Sequence, residues 1–271
     1  MGGGTGHGLT GHPTQLHVVE LEAHRDLPAE ERPQESLELP VVLVHGSLDR
    51  STSFLRTARR LEDLTVVLYD RRGYSKSRAL TPVATDIDTH VDDLLEVIDG
   101  SHVALVGHSL GGLVALCAAE RDPEVIRSVG AYEPPLPWFD WWPHRARSTI
   151  ATQDPSEFAE SFFDRVAGAG SWARLNDAGR QARRADGPAL VAELAAIRAD
   201  HALVDLPNLA VPTIAGRGSE SLVHHRHAAE VVAELVPGAK LIEIEGARHG
   251  AHLSHPDAFA HFVREVHSIA R

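Results

Sequence analysis

The segment Val103-Ala104-Leu105-Val106-Gly107-His108-Ser109-Leu110-Gly111-Gly112, continued by Leu113-Val114-Ala115-Leu116-Cys117-Ala118-Ala119, changes its character in the middle. Residues 103–106 form a short apolar run of the length of a buried strand, and from Leu110 onward the chain is apolar, Ala-rich and of helix length. Between the two lies Gly-x-Ser-x-Gly, formed by Gly107, Ser109 and Gly111. A strand that turns sharply into a helix leaves no room for side chains two residues before and two after its tip, and glycine at those places lets the serine stand exposed in a strained conformation. The free N–H groups and positive end of the helix then face whatever Ser109 would attack. Without a strand before it and a helix after it the pentapeptide would be an ordinary turn. With them, Ser109 is a candidate nucleophile.

Working outward, Leu39–Val44, Thr65–Asp70, Val125–Ala131, Val211–Gly216 and Lys240–Glu245 repeat the short apolar run, whereas Gln15–Ala23 alternates and reads as an antiparallel edge strand. Between them Ile87, Val91, Leu94, Leu95 and Ile98 fall at helical spacing, with Gly100 to terminate. Phe259, Phe262, Val263, Val266 and Ile269 do the same after Pro256. Strands alternating with helices predict an α/β fold, a mostly parallel sheet with helices on both faces, and chemistry at the carboxyl ends of the strands. The alternation stops between about Leu136 and Leu206. There Asp154-Pro155-Ser156-Glu157 begins a helix striped by Phe158, Phe162 and Val166, and a second helix follows Gly187-Pro188 with Leu190, Leu194 and Ile197 on one face. The chain therefore divides into a core, 1–135 with 207–271, and a helical insertion, 136–206. The first dozen residues read as a flexible lead-in, and the charged, proline-broken residues 26–36 as a loop.

Charge and cysteine content narrow the partners. With 26 basic against 38 acidic residues, net −12, the chain is a poor match for nucleic acid or an anionic membrane. One cysteine, Cys117, allows no internal disulfide and suits a reducing, cytoplasmic setting. No stretch approaches the roughly 20 continuous apolar residues of a membrane span. The N-terminus lacks the basic and apolar regions of a secretory signal. Among 18 histidines, His224, His225 and His227 cluster without any zinc-ligand spacing and read as a solvated helix face, so no metal and no cofactor is expected. The expected partner is a small molecule, and oligomeric state leaves no signal.

From about Leu39 to the C-terminus the chain resembles the α/β-hydrolase superfamily, and its elbow resembles that of serine-nucleophile, esterase-like members. The resemblance implies that the insertion is a lid above the active site, placed after the strand the family counts as sixth. It implies a histidine base after the last strand. Gly246-Ala247-Arg248-His249 matches the Gly-x-x-His pattern and favours His249 over its neighbours His252 and His255. The usual acid is an aspartate after the strand ending at Gly216, but this chain reads Gly216-Arg217-Gly218-Ser219-Glu220-Ser221, with serine where the aspartate aligns. Two replacements are open. Glu133, in Tyr132-Glu133-Pro134-Pro135, stands where some haloalkane dehalogenases and lipases carry the acid and is preferred; Glu220 is the alternative. Oxyanion donors are implied at the backbone N–H of Leu110 and of Ser47, the latter in His45-Gly46-Ser47-Leu48, with His45 bracing that loop. Asp70–Ser77 is similar to the family's buttressing segment. Trp138, Trp141 and Trp142, just beyond Glu133, are expected to line an apolar pocket. The implied activity is cleavage of a carboxylic ester, or related acyl bond, of a small apolar substrate through an acyl-enzyme. Carbon–carbon bond hydrolysis, cofactor-free peroxidation and non-catalytic ligand binding are the alternatives, and Ser109 excludes chemistry that needs an aspartate nucleophile.

Overall fold

In the computed structural model, which describes residues 6–7, 9, 11, 13–23, 39–80, 82–143 and 154–270, the run Val103–His108 is the central strand of a seven-stranded sheet. Strands β1 (Gly6–His7) and β2 (Pro13–Thr14) form a small antiparallel hairpin ahead of it. The sheet runs β3 (His17–Leu21), β5 (Val66–Asp70), β4 (Val41–Val44), β6 (Val103–His108), β7 (Ile126–Tyr132), β8 (Thr213–Gly218), β9 (Lys240–Ile244). Only β3 is antiparallel, paired to β5 at the edge as its alternating sequence predicts. Every residue of β4, β5 and β6 is buried, as a strand covered on both faces requires, whereas β9 is largely exposed at the other edge. The loop expected at 26–36 lies outside the described residues. The lead-in is partly docked: besides the β1–β2 pairing, Leu9 N–H donates to Val97 O at 3.1 Å.

Helices α2 (Ile87–Ile98) and α3 (Leu110–Arg121) share one apolar layer. The short α1 (Leu55–Ala58) covers the opposite face. Asp86 caps α2 by accepting from Thr89 N–H at 2.7 Å, and Asp99 (φ +52) ends it one residue before Gly100. Between β7 and β8 no described residue is in a strand. Helix α4 (Pro155–Ala167) starts where the sequence predicts, with Asp154 accepting from Ser156 and Glu157 N–H. Helix α5 (Asp177–Ala185) was not legible because none of its residues is buried, so it has no apolar stripe. Helix α6 (Gly187–Ala196) packs against the start of α4 so closely that a Cβ on Gly187 would lie 2.3 Å from Pro155 O. Then come α7 (Val223–Leu235), on the layer of α2 and α3, the single turn α8 (Ala251–Ser254), and α9 (Pro256–Ser268) on the layer of α1. The strand that the resemblance counts as sixth, β7, is the fifth of the seven in this sheet. No helix among the described residues is long and apolar enough to cross a membrane.

Two buried carboxylates fasten the insertion to the core. Asp186, just before α6, accepts from Arg50, Arg78 and the Ser75 N–H. Glu193, within α6, accepts from Arg71 Nη1 at 3.0 Å and from the Tyr74 hydroxyl, and both members of the Arg71–Glu193 pair are 1% exposed. Arg71 also donates through Nε to His45 O (2.8 Å) and through Nη2 to Gly46 O (3.1 Å). This is the buttress expected of the Asp70–Ser77 segment. His45 is held by the same group: its Nδ1–H donates to Gly46 O at 2.8 Å and its Nε2 accepts from Arg71 N–H at 2.9 Å.

Removing one partner of a buried ion pair leaves the other charge stranded, at a cost of about 3–5 kcal/mol. Glu193→Ala should therefore lower the urea midpoint of unfolding steeply with little change in m; a loss under about 1 kcal/mol would contradict the pairing. Burial also keeps imidazoles neutral. His45 is lowered to about 4 by burial and Arg71, while His90 and His108 are held well below the ordinary histidine value by burial and neighbouring cationic or imidazole groups. In the unfolded chain these side chains protonate below about pH 6.5, so stability falls as pH drops below that value; for His45 the loss is about 1.4 kcal/mol per pH unit down to about pH 4. Asp93 and Asp186, raised by burial, oppose part of this. The urea midpoint should be lower at pH 5 than at pH 7.5; equal midpoints would refute the linkage.

Candidate active site

Ser109 has φ +54° and ψ −124°, a conformation no unstrained L-residue adopts. Its N–H donates to Tyr132 O and its carbonyl accepts from Gly112 N–H, each at 2.8 Å, so the turn is fixed from both sides. A Cβ on Gly107 would lie 2.1 Å from Gly111 O, and one on Gly111 2.2 Å from Val44 O. Glycine is required at both places because backbone meets backbone. Across the same contact the loop after β4 reaches Ser109: a Cβ on Gly46 would be 2.9 Å from Ser109 Cβ. Ser47 and Ser109 line one cavity of about 200 Å³. Neither the Ser47 N–H nor the Leu110 N–H, at the first position of α3, has a hydrogen-bond acceptor among the described residues.

His249 lies beyond β9 and lines the same cavity. Its Nδ1–H donates to Glu133 Oε2 at 2.6 Å. Glu133, at the end of β7 with φ +47° and 0% exposed, uses its other oxygen to accept from Gly218 N–H at 2.8 Å. Both carboxylate oxygens are thus engaged, and the ring's Nδ1–H is fixed, leaving Nε2 as its acceptor. Burial, with His252 and His224 nearby, pushes His249 below the ordinary histidine value, while the Asp49 carboxylate acts in the opposite sense. His108 Nε2–H donates to His249 O at 2.8 Å and holds the loop. No hydrogen bond joins Ser109 to His249 among the described residues, and in unliganded hydrolytic sites such contacts are commonly long.

The other candidates fall elsewhere. His252, 1% exposed, pairs with Asp49 Oδ2 at 3.1 Å beneath Phe54, and His255 opens α9. Glu220 is at the surface, its carboxylate 3.4 Å from Arg248 Nε. Of the three tryptophans only Trp142 lines the Ser109 cavity; Trp138 borders a separate cleft with Leu203, Leu206 and Leu235. Trp141 stacks on Phe139 (5.5 Å) and meets the His227 ring edge-on. The apolar wall of the cavity comes instead from Phe158 and Phe162 on α4 and from Leu194 and Ile197 at α6 and its end.

The expected solvated histidine face is corrected for two of its three members. His225 stacks on His249 with centroids 4.1 Å apart and planes at 24°, and His224 sets its ring edge-on to Trp142 at 5.0 Å. His227 lies half-exposed beside Glu230. The first turn of α7 passes over the His249 loop. A sequence signal for this existed, since these residues follow directly the carboxyl end of β8. Two triplets, Asp49 with His108 and His252, and Glu133 with His225 and His249, bring donor atoms suited to a metal within 4.8 Å of one another.

Comparison with known proteins identifies the family. The model of the Alpha/beta hydrolase family matches residues 41–262. The "Putative carbamate hydrolase RutD" of Stutzerimonas stutzeri is 26% identical over 213 residues, 73% of this chain and 79% of that protein. Two solved structures share the fold: the enol-lactonase from Burkholderia xenovorans LB400 (TM-score 0.72, 19% identity, 93% of this chain and 96% of that one) and a thermophilic esterase from Thermogutta terrifontis (TM-score 0.73, 20% identity, 94% of each). The chain belongs to the alpha/beta hydrolase family and is a hydrolase.

Proposed function

We propose that the chain cleaves a carboxylic ester, or a closely related acyl bond, of a small substrate through an acyl-enzyme on Ser109. The observation that carries the reading is the Glu133–His249 hydrogen bond opening onto the cavity that Ser109 lines. Ser109 Oγ attacks the substrate carbonyl while His249 Nε2 takes its proton. Glu133 holds the ring and stabilises the imidazolium. The negative charge developing on the carbonyl oxygen is received by the Ser47 and Leu110 N–H groups. The proton on Nε2 then passes to the leaving alcohol, and water, deprotonated by the same nitrogen, releases the acid and restores Ser109. The acyl group lies against Phe158, Phe162, Leu194 and Ile197, under a lid formed by the insertion. The names of these relatives, a putative carbamate hydrolase, an enol-lactonase and an esterase, all denote cleavage at an acyl carbon and support this class.

A fluorophosphonate probe should label Ser109, and Ser109→Ala should abolish labelling and reduce p-nitrophenyl ester turnover by about 10⁴-fold or more. A folded wild-type protein that is not labelled would reject the reading. Glu133→Gln should lower kcat by up to about 10⁴-fold, whereas Glu220→Gln should leave it unchanged; the reverse pattern would move the acid to Glu220. Trp142→Ala should raise KM for a hexanoate ester about tenfold more than for acetate, and Trp138→Ala should not discriminate between them. Equal effects of the two substitutions would contradict the cavity assignment.

A further inference from the structure

His225 has a ring position that the acyl-transfer reading leaves unused. It lies face to face on His249, its Nδ1 is buried without a hydrogen-bond partner, and it stands within 4.8 Å of donor atoms of both His249 and Glu133. An orphaned ring nitrogen in such a place is costly unless something occupies it. Two imidazoles and one carboxylate are a nitrogen-rich donor set that suits zinc-class ions and not the all-oxygen shells of magnesium or calcium. Zinc sits about 2.0–2.2 Å from such donors, so a triplet within 4.8 Å of one another can close on it by shifts under about 1 Å each, together with a turn of the His225 ring out of its stack on His249 that brings its in-plane lone pair onto the ion. His225 and His249 both line the 200 Å³ cavity, which supplies an entry path and space for a water as fourth ligand. The other triplet differs here, since Asp49, His108 and His252 line neither the Ser109 cavity nor the Trp138 cleft.

We propose that Glu133, His225 and His249 bind a zinc-class divalent cation, and that the bound ion switches the hydrolase off. The ion takes the place of the hydrogen shared between His249 Nδ1 and Glu133 Oε2. The displaced proton moves to Nε2 of the same ring, so the imidazole stays neutral and no proton is lost overall. With Nε2 protonated, His249 cannot accept the Ser109 proton. The ion is an inhibitor and not a cofactor. Its binding does not depend on the proposed function, whereas the inhibition rests on it.

Calorimetric titration of zinc chloride into metal-free protein should show one ion per chain. His225→Phe, which keeps a ring against His249, should weaken binding at least about tenfold, as should His225→Gln, while Asp49→Asn should change it less than about twofold. Cobalt(II) should give tetrahedral visible bands in wild type that are absent from both His225 variants. Zinc should inhibit ester turnover, EDTA should restore it, and the inhibition curve should shift at least about tenfold in His225→Phe. Absence of stoichiometric binding, binding unchanged in both folded His225 variants, or loss of binding in Asp49→Asn would each overturn the site. Stoichiometric binding in a protein that turns over no ester would leave the site standing and sink the hydrolytic reading, whereas turnover without zinc binding would sink the site alone.

Discussion

Everything at the site depends on one backbone contact, where α3 begins against β4 and β6. Gly107 and Gly111 are within reach of carbonyl groups that any Cβ would strike. That approach sets the N-terminus of α3 beside the loop after β4 and forces Ser109 into its positive-φ turn. A strained residue of this kind costs on the order of 1–3 kcal/mol and persists only when its surroundings over-determine it. Here they do. Residues Leu110–Ala119 are all buried, so α3 has no solvent face on which it could tilt to relieve the strain.

Strain recurs at the neighbouring strand ends. Leu48, Ser109 and Glu133 follow β4, β6 and β7, and all three have positive φ without being glycine. At Glu133 the unusual backbone turns the carboxylate inward, where the Gly218 and His249 donors meet it. The end of β8, where the family resemblance leads one to expect an aspartate, contributes backbone donors and a serine. Ser219 Oγ accepts from Gly246 N–H at 2.8 Å and so braces the turn leading to His249. The carboxylate that meets His249 thus stands at the end of β7, while the end of β8 holds the turn that leads to His249.

What the sequence revealed follows the range of the interactions involved. Strand and helix periodicity, the Asp154 cap and the Gly-x-Ser-x-Gly turn depend on neighbours a few residues apart, and the structure has them within a residue or two. The choice between Glu133 and Glu220 could not be local, because His249 meets a residue 116 positions away across three strands. Trp138 and Trp142 lie one turn apart in the chain but open onto different cavities, and composition says nothing about which way a loop rotates. The histidines of α7 were misjudged for the opposite reason: polar spacing on a helix predicts a solvated face, but a helix that starts at a strand end can lay its first turn over the site. Helix α5 has no buried stripe and so no signal at all.

The wall of the cavity is tied to the chemistry by a single guanidinium. Arg71 donates to Glu193 on α6 with two of its nitrogens and to the carbonyls of His45 and Gly46 with Nε and Nη2, so one buried cation spans the insertion and the loop that carries Ser47. Lifting α6 would leave Arg71 buried without its counter-charge, a penalty of several kcal/mol, and would release the carbonyls that set the loop's direction. The same displacement would break the Tyr74 hydrogen bond to Glu193 and withdraw Asp186 from Arg50 and Arg78. Leu194, one residue beyond Glu193 on α6, is therefore as firmly placed as Ser109 itself. A wall anchored to the loop after β4 cannot shift without disturbing that loop, which makes the shape of the cavity and the geometry at Ser109 one mechanical unit.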